Sequence, residues 1–262
     1  MSDWGYAQNN GPETWPEKFP LAAGTRQSPV DICTSRTLTD ASLSSRPLTW
    51  RYPSSANVLV NTGHGWRADL DYHGSELRGG PLADTYVLEQ FHCHWGCSEH
   101  TVDGRGYAGE LHLVHWNISK YQSFSEAAGQ PDGLGVLGIF VEEGDVHEEF
   151  QKIVDALPKI TLKGQKTELS DPVDPNKLLP DFSQYWTYEG SLTTPPCTES
   201  VIWMIPKQPI RVSGSQLSAF RSLRCYGPGE QCPCDELQGL VVKNYRPPVP
   251  LGNRQLRECG SL

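Results

Sequence analysis

Runs of β-branched and aromatic residues recur along the chain, and clusters of glycine, proline and aspartate interrupt them. Segments 57–61, 66–72, 87–95, 107–116, 136–142 and 201–205 read as strands. Turn signals such as Gly79-Gly80-Pro81 and Asp103-Gly104 separate them. Helical spacing is rarer. Val146, Phe150, Ile153, Val154 and Leu157 predict a helix over 145–157, with Asp145 as N-cap, Glu148 three residues on and Pro158 at its end. A second short helix is predicted over 215–223, with Leu217, Phe220 and Leu223 inward. Strands outnumber helices, so the expected class is mostly β with short peripheral helices, an α+β arrangement.

A chain of 262 residues can bury one substantial core. It contains no low-complexity run, no Ser/Gly tract and no internal repeat, and the Pro-rich stretch 246–250 is too short to separate domains. One domain over 1–262 is expected. A formal charge of −9 without a basic cluster argues against a nucleic-acid surface. No apolar run approaches a membrane span. The start, Met-Ser-Asp-Trp-Gly-Tyr, lacks the apolar core of a secretory signal, so the expected setting is the cytosol.

The candidate chemistry lies in two strand-like segments, Gln90-Phe-His92-Cys-His94-Trp and Glu110-Leu-His112-Leu-Val-His115. Side chains two apart in a strand share a face, so His92 and His94 point the same way. A neighbouring strand that sets His112 beside them supplies a third imidazole. Three neutral imidazoles with an open fourth position suit a catalytic zinc ion. Gln90 lies on the face of His92 and His94, and Glu110 on that of His112. Both are placed to accept the second ring N–H that a metal-bound histidine donates. His115 faces away and reads as a hydrogen-bonded core residue.

These two strands, with Ser-Glu-His-Thr-Val-Asp-Gly between them, resemble the α-carbonic anhydrases of animals, and the resemblance extends along nearly the whole chain. It is carried by Trp4-Gly5-Tyr6, Asn10-Gly-Pro-Glu-Thr-Trp15, Arg26-Gln-Ser-Pro-Val-Asp-Ile32 and Asn61-Thr-Gly-His64. It continues through Trp186-Thr-Tyr-Glu-Gly-Ser-Leu-Thr-Thr-Pro-Pro196 and Asn244-Tyr-Arg-Pro247. The resemblance implies a single domain around a large, twisted, mostly antiparallel sheet. It also implies a monomer that binds one zinc ion per chain and hydrates carbon dioxide reversibly to bicarbonate and a proton, by attack of zinc-bound hydroxide.

Residue roles follow from the same resemblance. His92, His94 and His112 are the expected zinc ligands, with Gln90, Glu110 and Asn244 supporting them. Thr193 is expected to accept a hydrogen bond from the hydroxide and donate to Glu99. A threonine oxygen can do both, and a carboxylate that only accepts fixes the direction. His100 and Tyr188 are expected to hold that network from behind. Val114, Val136, Leu192, Val201 and Trp203 form the expected apolar patch for carbon dioxide, with Thr194 and Phe124 in the outer cavity. His64 matches the proton-shuttle position, since histidine titrates near neutrality. Gly63 and Gly65 leave it room, and Tyr6 and Thr62 anchor the intervening waters.

Trp95-Gly-Cys-Ser-Glu99 is several residues shorter than the corresponding connection in the family. Its span of at most about 17 Å still allows Glu99 to reach Thr193. The rival reading from this departure is a catalytically weak or inactive family-like binding or scaffold module. Arg67 near the cavity is a further departure. Secreted relatives, as the resemblance implies, join a cysteine after Pro-Pro to one upstream of Arg26. Here Cys197 follows Pro196, but Ala22 and Ala23 stand where its partner is expected, so reduced thiols are the simpler account. Cys225, Cys232 and Cys234 do not match the common zinc spacings. Cys259-Gly-Ser-Leu lacks the aliphatic middle of a prenylation signal and reads as a frayed tail.

Overall fold

The structure is a computed structural model that describes residues 4–70 and 74–260. Among these, one sheet of thirteen strands dominates. Its central run is Ala56–Asn61, Trp66–Asp69, Leu82–Trp95, Gly109–Asn117, Leu134–Glu143, Val201–Pro206 and Tyr185–Gly190, in that spatial order. Most neighbours are antiparallel. Leu134–Glu143 runs parallel to both Val201–Pro206 and Ile210–Val212. The expected mostly β class with short peripheral helices is the architecture found.

Two strands in the middle carry the chemistry, and their register decides where it points. His92 lies directly opposite His112, His94 opposite Glu110, and Gln90 opposite Val114. The alternate residues, Phe91 opposite Leu113 and Cys93 opposite Leu111, face the larger apolar core with Trp66, Ile139 and Phe150. The histidine face meets a second cluster that includes Val114, Val136, Val201 and Trp203. Gly109–Asn117 is therefore covered on both sides, which explains its nearly unbroken burial.

A bulge between Leu88 and Gln90 sets this phase, because Glu89 is an extra residue opposite the pair His115 and Val114. Two residues apart, Leu88 and Gln90 would share a face. The bulge lets Leu88 join the core while Gln90 turns to the histidines.

The helices differ in detail from expectation. The first spans Glu148–Ala156 and continues as a 3₁₀ turn, Leu157–Lys159. Asp145 is not its N-cap; His147 takes that position without a side-chain cap. The reason is tertiary. Gln216, from the second helix, accepts from His147 N at 3.0 Å and donates to His147 O at 2.9 Å. That second helix, Gly214–Phe220, opens with a Ser213–Gln216 capping box, and Leu223 is buried just beyond its end. The strand expected over 66–72 is described as Trp66–Asp69, and Tyr72 lies outside the described residues. The frayed-tail reading of Cys259 is corrected: Arg257–Cys259 pairs with Tyr185–Thr187, and Cys259 is buried.

Candidate metal centre

The three histidines converge. Ring centres lie 5.0 Å apart for His92 and His94, 5.2 Å for His92 and His112, and 4.6 Å for His94 and His112. One ring nitrogen from each falls within 4.8 Å of the others. The remaining nitrogens are all engaged. His92 Nδ1 lies 2.8 Å from Gln90 Oε1, His94 Nδ1 lies 2.7 Å from the carbonyl of Asn244, and His112 Nε2 lies 2.8 Å from Glu110 Oε1.

Each of those partners is an oxygen that only accepts, so each outer nitrogen carries the hydrogen. In the neutral rings this leaves three bare lone pairs facing inward. His92 Nε2 and His94 Nε2 sit 3.2 Å apart with no proton between them in those tautomers. Burial lowers the pKa of His92 and His112 and takes His94 down to about 3, with the neighbouring imidazoles adding to the effect at His92 and His94. Neutral and convergent, the trio fits a metal such as zinc, whose nitrogen ligands must be deprotonated.

A second trio, His100, Glu110 and His112, is as close together but internally satisfied. Glu110 accepts from His100 N at 2.8 Å and from His100 Nδ1 at 2.7 Å as well as from His112. Burial alone would raise the Glu110 pKa, but the His100 imidazole and these hydrogen bonds outweigh it and hold the carboxylate below its usual range. His100 Nε2 in turn meets the Tyr188 hydroxyl at 2.6 Å, which donates to Ser28 Oγ at 2.7 Å. His100 and Tyr188 thus support the His112 side through Glu110, rather than the Thr193–Glu99 pair.

Glu99 sits behind His94, with Oε1 3.4 Å from His94 Nδ1 and accepting from Arg246 N at 2.8 Å. The short connection turns at Gly96, whose φ is +89°, a value glycine adopts without strain. Ser98 Oγ then accepts from Tyr107 N at 2.8 Å and donates to the carbonyl of His100 at 2.6 Å. Burial, then the nearby Glu110 charge, push the Glu99 pKa upward. The Thr193 hydroxyl lies close enough to favour the Glu99 anion, yet Oε2 makes no hydrogen bond of standard geometry. The hydrogen bond that fixes Glu99 in place is the one from Arg246 N.

Val114, Val136, Val201 and Trp203 share one buried cluster, against which Leu192 and Phe124 pack. Trp203 meets His112 edge-on with ring centres 4.8 Å apart, so the apolar patch adjoins the three histidines. Thr194 is half-buried in the turn that follows Leu192, with its carbonyl accepting from Cys197 N at 2.9 Å.

His64 lies in the turn between Ala56–Asn61 and Trp66–Asp69, flanked by Gly63 and Gly65 with φ of +88° and +148°. Its ring is stacked on Trp4, and Tyr6 approaches edge-on at 6.5 Å. Thr62 Oγ1 accepts from His64 N at 3.2 Å. Burial, reinforced by Lys163, lowers the pKa of His64 to about 4 in this position.

The profile of eukaryotic-type carbonic anhydrases matches residues 10–260. The chain belongs to this family. It is 46% identical to carbonic anhydrase 1 of Mus musculus over 264 aligned positions, which cover 98% of each chain. It is 43% identical to carbonic anhydrase 1 of Monodelphis domestica over 263 positions, covering 97% of each.

Some contacts around these residues carry no local sequence signal. Trp4 belongs to the Trp4-Gly5-Tyr6 motif, but nothing in that motif foretells its stacking on His64. Arg246 likewise reaches Glu99 through a backbone N–H, which no side-chain pattern reveals. Arg67, opposite His92, is occupied by Asp69 at 2.6 Å.

Proposed function

We propose that this protein is a zinc enzyme that hydrates carbon dioxide reversibly to bicarbonate and a proton. The observation that supports this most strongly is the convergence of one ring nitrogen from each of three histidines, with the other nitrogen of each ring held by an acceptor oxygen. His92, His94 and His112 would hold one zinc ion per chain, with Gln90, the Asn244 carbonyl and Glu110 fixing their tautomers. Zinc held by three neutral imidazoles lowers the pKa of water to near 7, which supplies hydroxide where free hydroxide is scarce.

The chain's own residues account for the remaining steps. Thr193 accepts the hydrogen of the attacking oxygen and donates its own toward Glu99, so that a lone pair is left for the carbon. Val114, Val136, Leu192, Val201 and Trp203 offer carbon dioxide a surface that does not compete for its oxygens with strong hydrogen bonds, and Thr194 lines the approach. His64 carries the released proton outward along waters held near Tyr6 and Thr62. For that it must leave the Trp4 stack, where its low pKa makes it a poor acceptor. The substrate is a small molecule, with neither nucleic acid nor membrane as partner, and the protein acts as a cytosolic monomer. No helix among the described residues is long and apolar enough to cross a membrane.

Zinc content and stopped-flow carbon dioxide hydration, measured on one purified sample, test this reading. One zinc per chain with rapid hydration is expected. A zinc-loaded protein that does not accelerate hydration would overturn the catalytic assignment.

A further inference from the structure

Two cysteines remote from the metal ligands flank a turn. Gly227-Pro228-Gly229-Glu230 reverses the chain, with Glu230 N donating to Gly227 O at 3.1 Å and Gly229 at a φ of +78°. Proline in the second position and a positive-φ glycine in the third are the requirements of a type II turn. The Glu230 carboxylate reinforces it by accepting from Gly227 N at 2.9 Å. Cys225 precedes the turn by two residues and Cys232 follows it by two, so the chain reversal sets them across from each other.

A second contact draws both residues to one point. Cys225 N donates to the carbonyl of Gly239 at 2.9 Å. From the other side, the Cys232 thiol donates to the adjacent carbonyl, that of Gln238, at 3.4 Å. A Cβ at Gly239 would stand 3.0 Å from Cys232 Sγ, so glycine there leaves the sulfur its place. Cys232 is exposed and Cys225 half-buried, and both carry free thiols.

We propose that Cys225 and Cys232 form a reversible intramolecular disulfide when the protein meets a low-molecular-weight disulfide such as glutathione disulfide. The exposed Cys232 thiolate attacks first. It forms a mixed disulfide and expels one glutathione thiolate, which takes up a proton. Cys225 then attacks the Cys232 sulfur and expels the second glutathione. Two protein thiols are oxidised by two electrons, and one glutathione disulfide is reduced to two thiols. Burial, followed by the charges of Asp235 and Cys232, raises the Cys225 pKa, which suits it to the second, intramolecular step, where proximity compensates for a low thiolate fraction.

The site adjoins the proposed proton path without sharing its metal. Cys225 and Tyr226 line a cavity of about 230 Å³ together with Trp4, Tyr6 and His64. The turn is also tied to the His64 loop, since Tyr226 O accepts from Lys163 N at 2.9 Å and Lys163 packs on Gly63. A disulfide would make this wall of the cavity covalently closed.

The test uses the full chain, treated with glutathione disulfide and then cleaved after Glu230 without reductant. That cut separates Cys225 from Cys232 and Cys234. The two fragments should stay joined in the parent and in Cys234→Ser, and part after dithiothreitol. Cys232→Ser should leave them separate, and Cys225→Ser should accumulate a stable glutathione adduct on Cys232. Joined fragments in Cys232→Ser, a Cys232–Cys234 bond, or unreacted thiols in the parent would each overturn the assignment.

Discussion

The indole of Trp4 lies flat on the imidazole of His64, with ring centres 3.5 Å apart and planes 8° from parallel. This stack removes water from one face of the ring. It also explains why a loop histidine between two glycines is not free to titrate as an exposed one would. The proposed proton carrier therefore rests in a state unsuited to carrying protons, and Trp4 helps to hold it there.

Trp4→Ala should expose the ring and raise the His64 titration midpoint from about 4 toward the ordinary value of 6.5. An imidazole proton titration followed by NMR would measure it. A midpoint that stays near 4 would mean that the rest of the pocket, not Trp4, sets the burial.

His64→Ala should slow turnover in weak buffer while leaving kcat/KM for carbon dioxide nearly intact. The expected loss is roughly 10-fold or more, at or below the low end of the about 10²–10⁴ that positioned proton transfer commonly contributes. Added imidazole should restore much of it, because a diffusing base replaces the tethered one. Full turnover of the variant in weak buffer would return His64 to an ordinary loop residue.

Glu99→Gln should reduce carbon dioxide hydration by about 10²-fold while zinc content stays near normal, because an amide can donate as well as accept and no longer fixes the Thr193 hydroxyl. Thr193→Val should cause a loss of similar order and weaken binding of a primary aromatic sulfonamide, whose N–H needs the same oxygen. Since one relay serves both residues, the double variant should lose much less than the two single losses combined. Fully additive losses would show that Thr193 and Glu99 are not coupled.

Acid should destabilise the fold through His115. Its ring is fully satisfied when neutral: Nδ1 donates to the Gly135 carbonyl at 3.1 Å, and Nε2 accepts from the Tyr52 hydroxyl at 2.7 Å. Burial depresses its pKa from 6.5 to about 4. The unfolded chain therefore takes up this proton below about pH 6.5, whereas the folded chain refuses it until about pH 4. The stability present above pH 6.5 is lost as pH falls through that window, by about 3 kcal/mol for this group. His115→Gln, which can keep both hydrogen bonds, should flatten the pH dependence of urea unfolding between those limits. An unchanged slope would place the acid sensitivity elsewhere.

The strand pattern and the two histidine motifs were legible because side-chain alternation in a strand is a local rule. His-x-His and Glu-x-His each state which side chains share a face, whatever the strands pair with. The chain itself thus determined the mostly β class and the shared faces of His92, His94 and His112. The first helix was located to within a few residues, but its start was not, because Gln216 from another helix supplies the partners that Asp145 was expected to provide.

What only the tertiary structure decided is register, reach and rotamer. The bulge at Glu89 turns Leu88 into the core although it lies two residues before Gln90. The Asn244 carbonyl arrives at His94 from 150 residues away. The shortened turn at Gly96 still leaves Glu99 behind His94. The fate of His64 depended on Trp4, 60 residues earlier, and Cys225 and Cys232, which flank a turn, both bond to the Gln238-Gly239 segment. None of these follows from periodicity, because each depends on backbone atoms or on partners that become neighbours only after the sheet has closed around them.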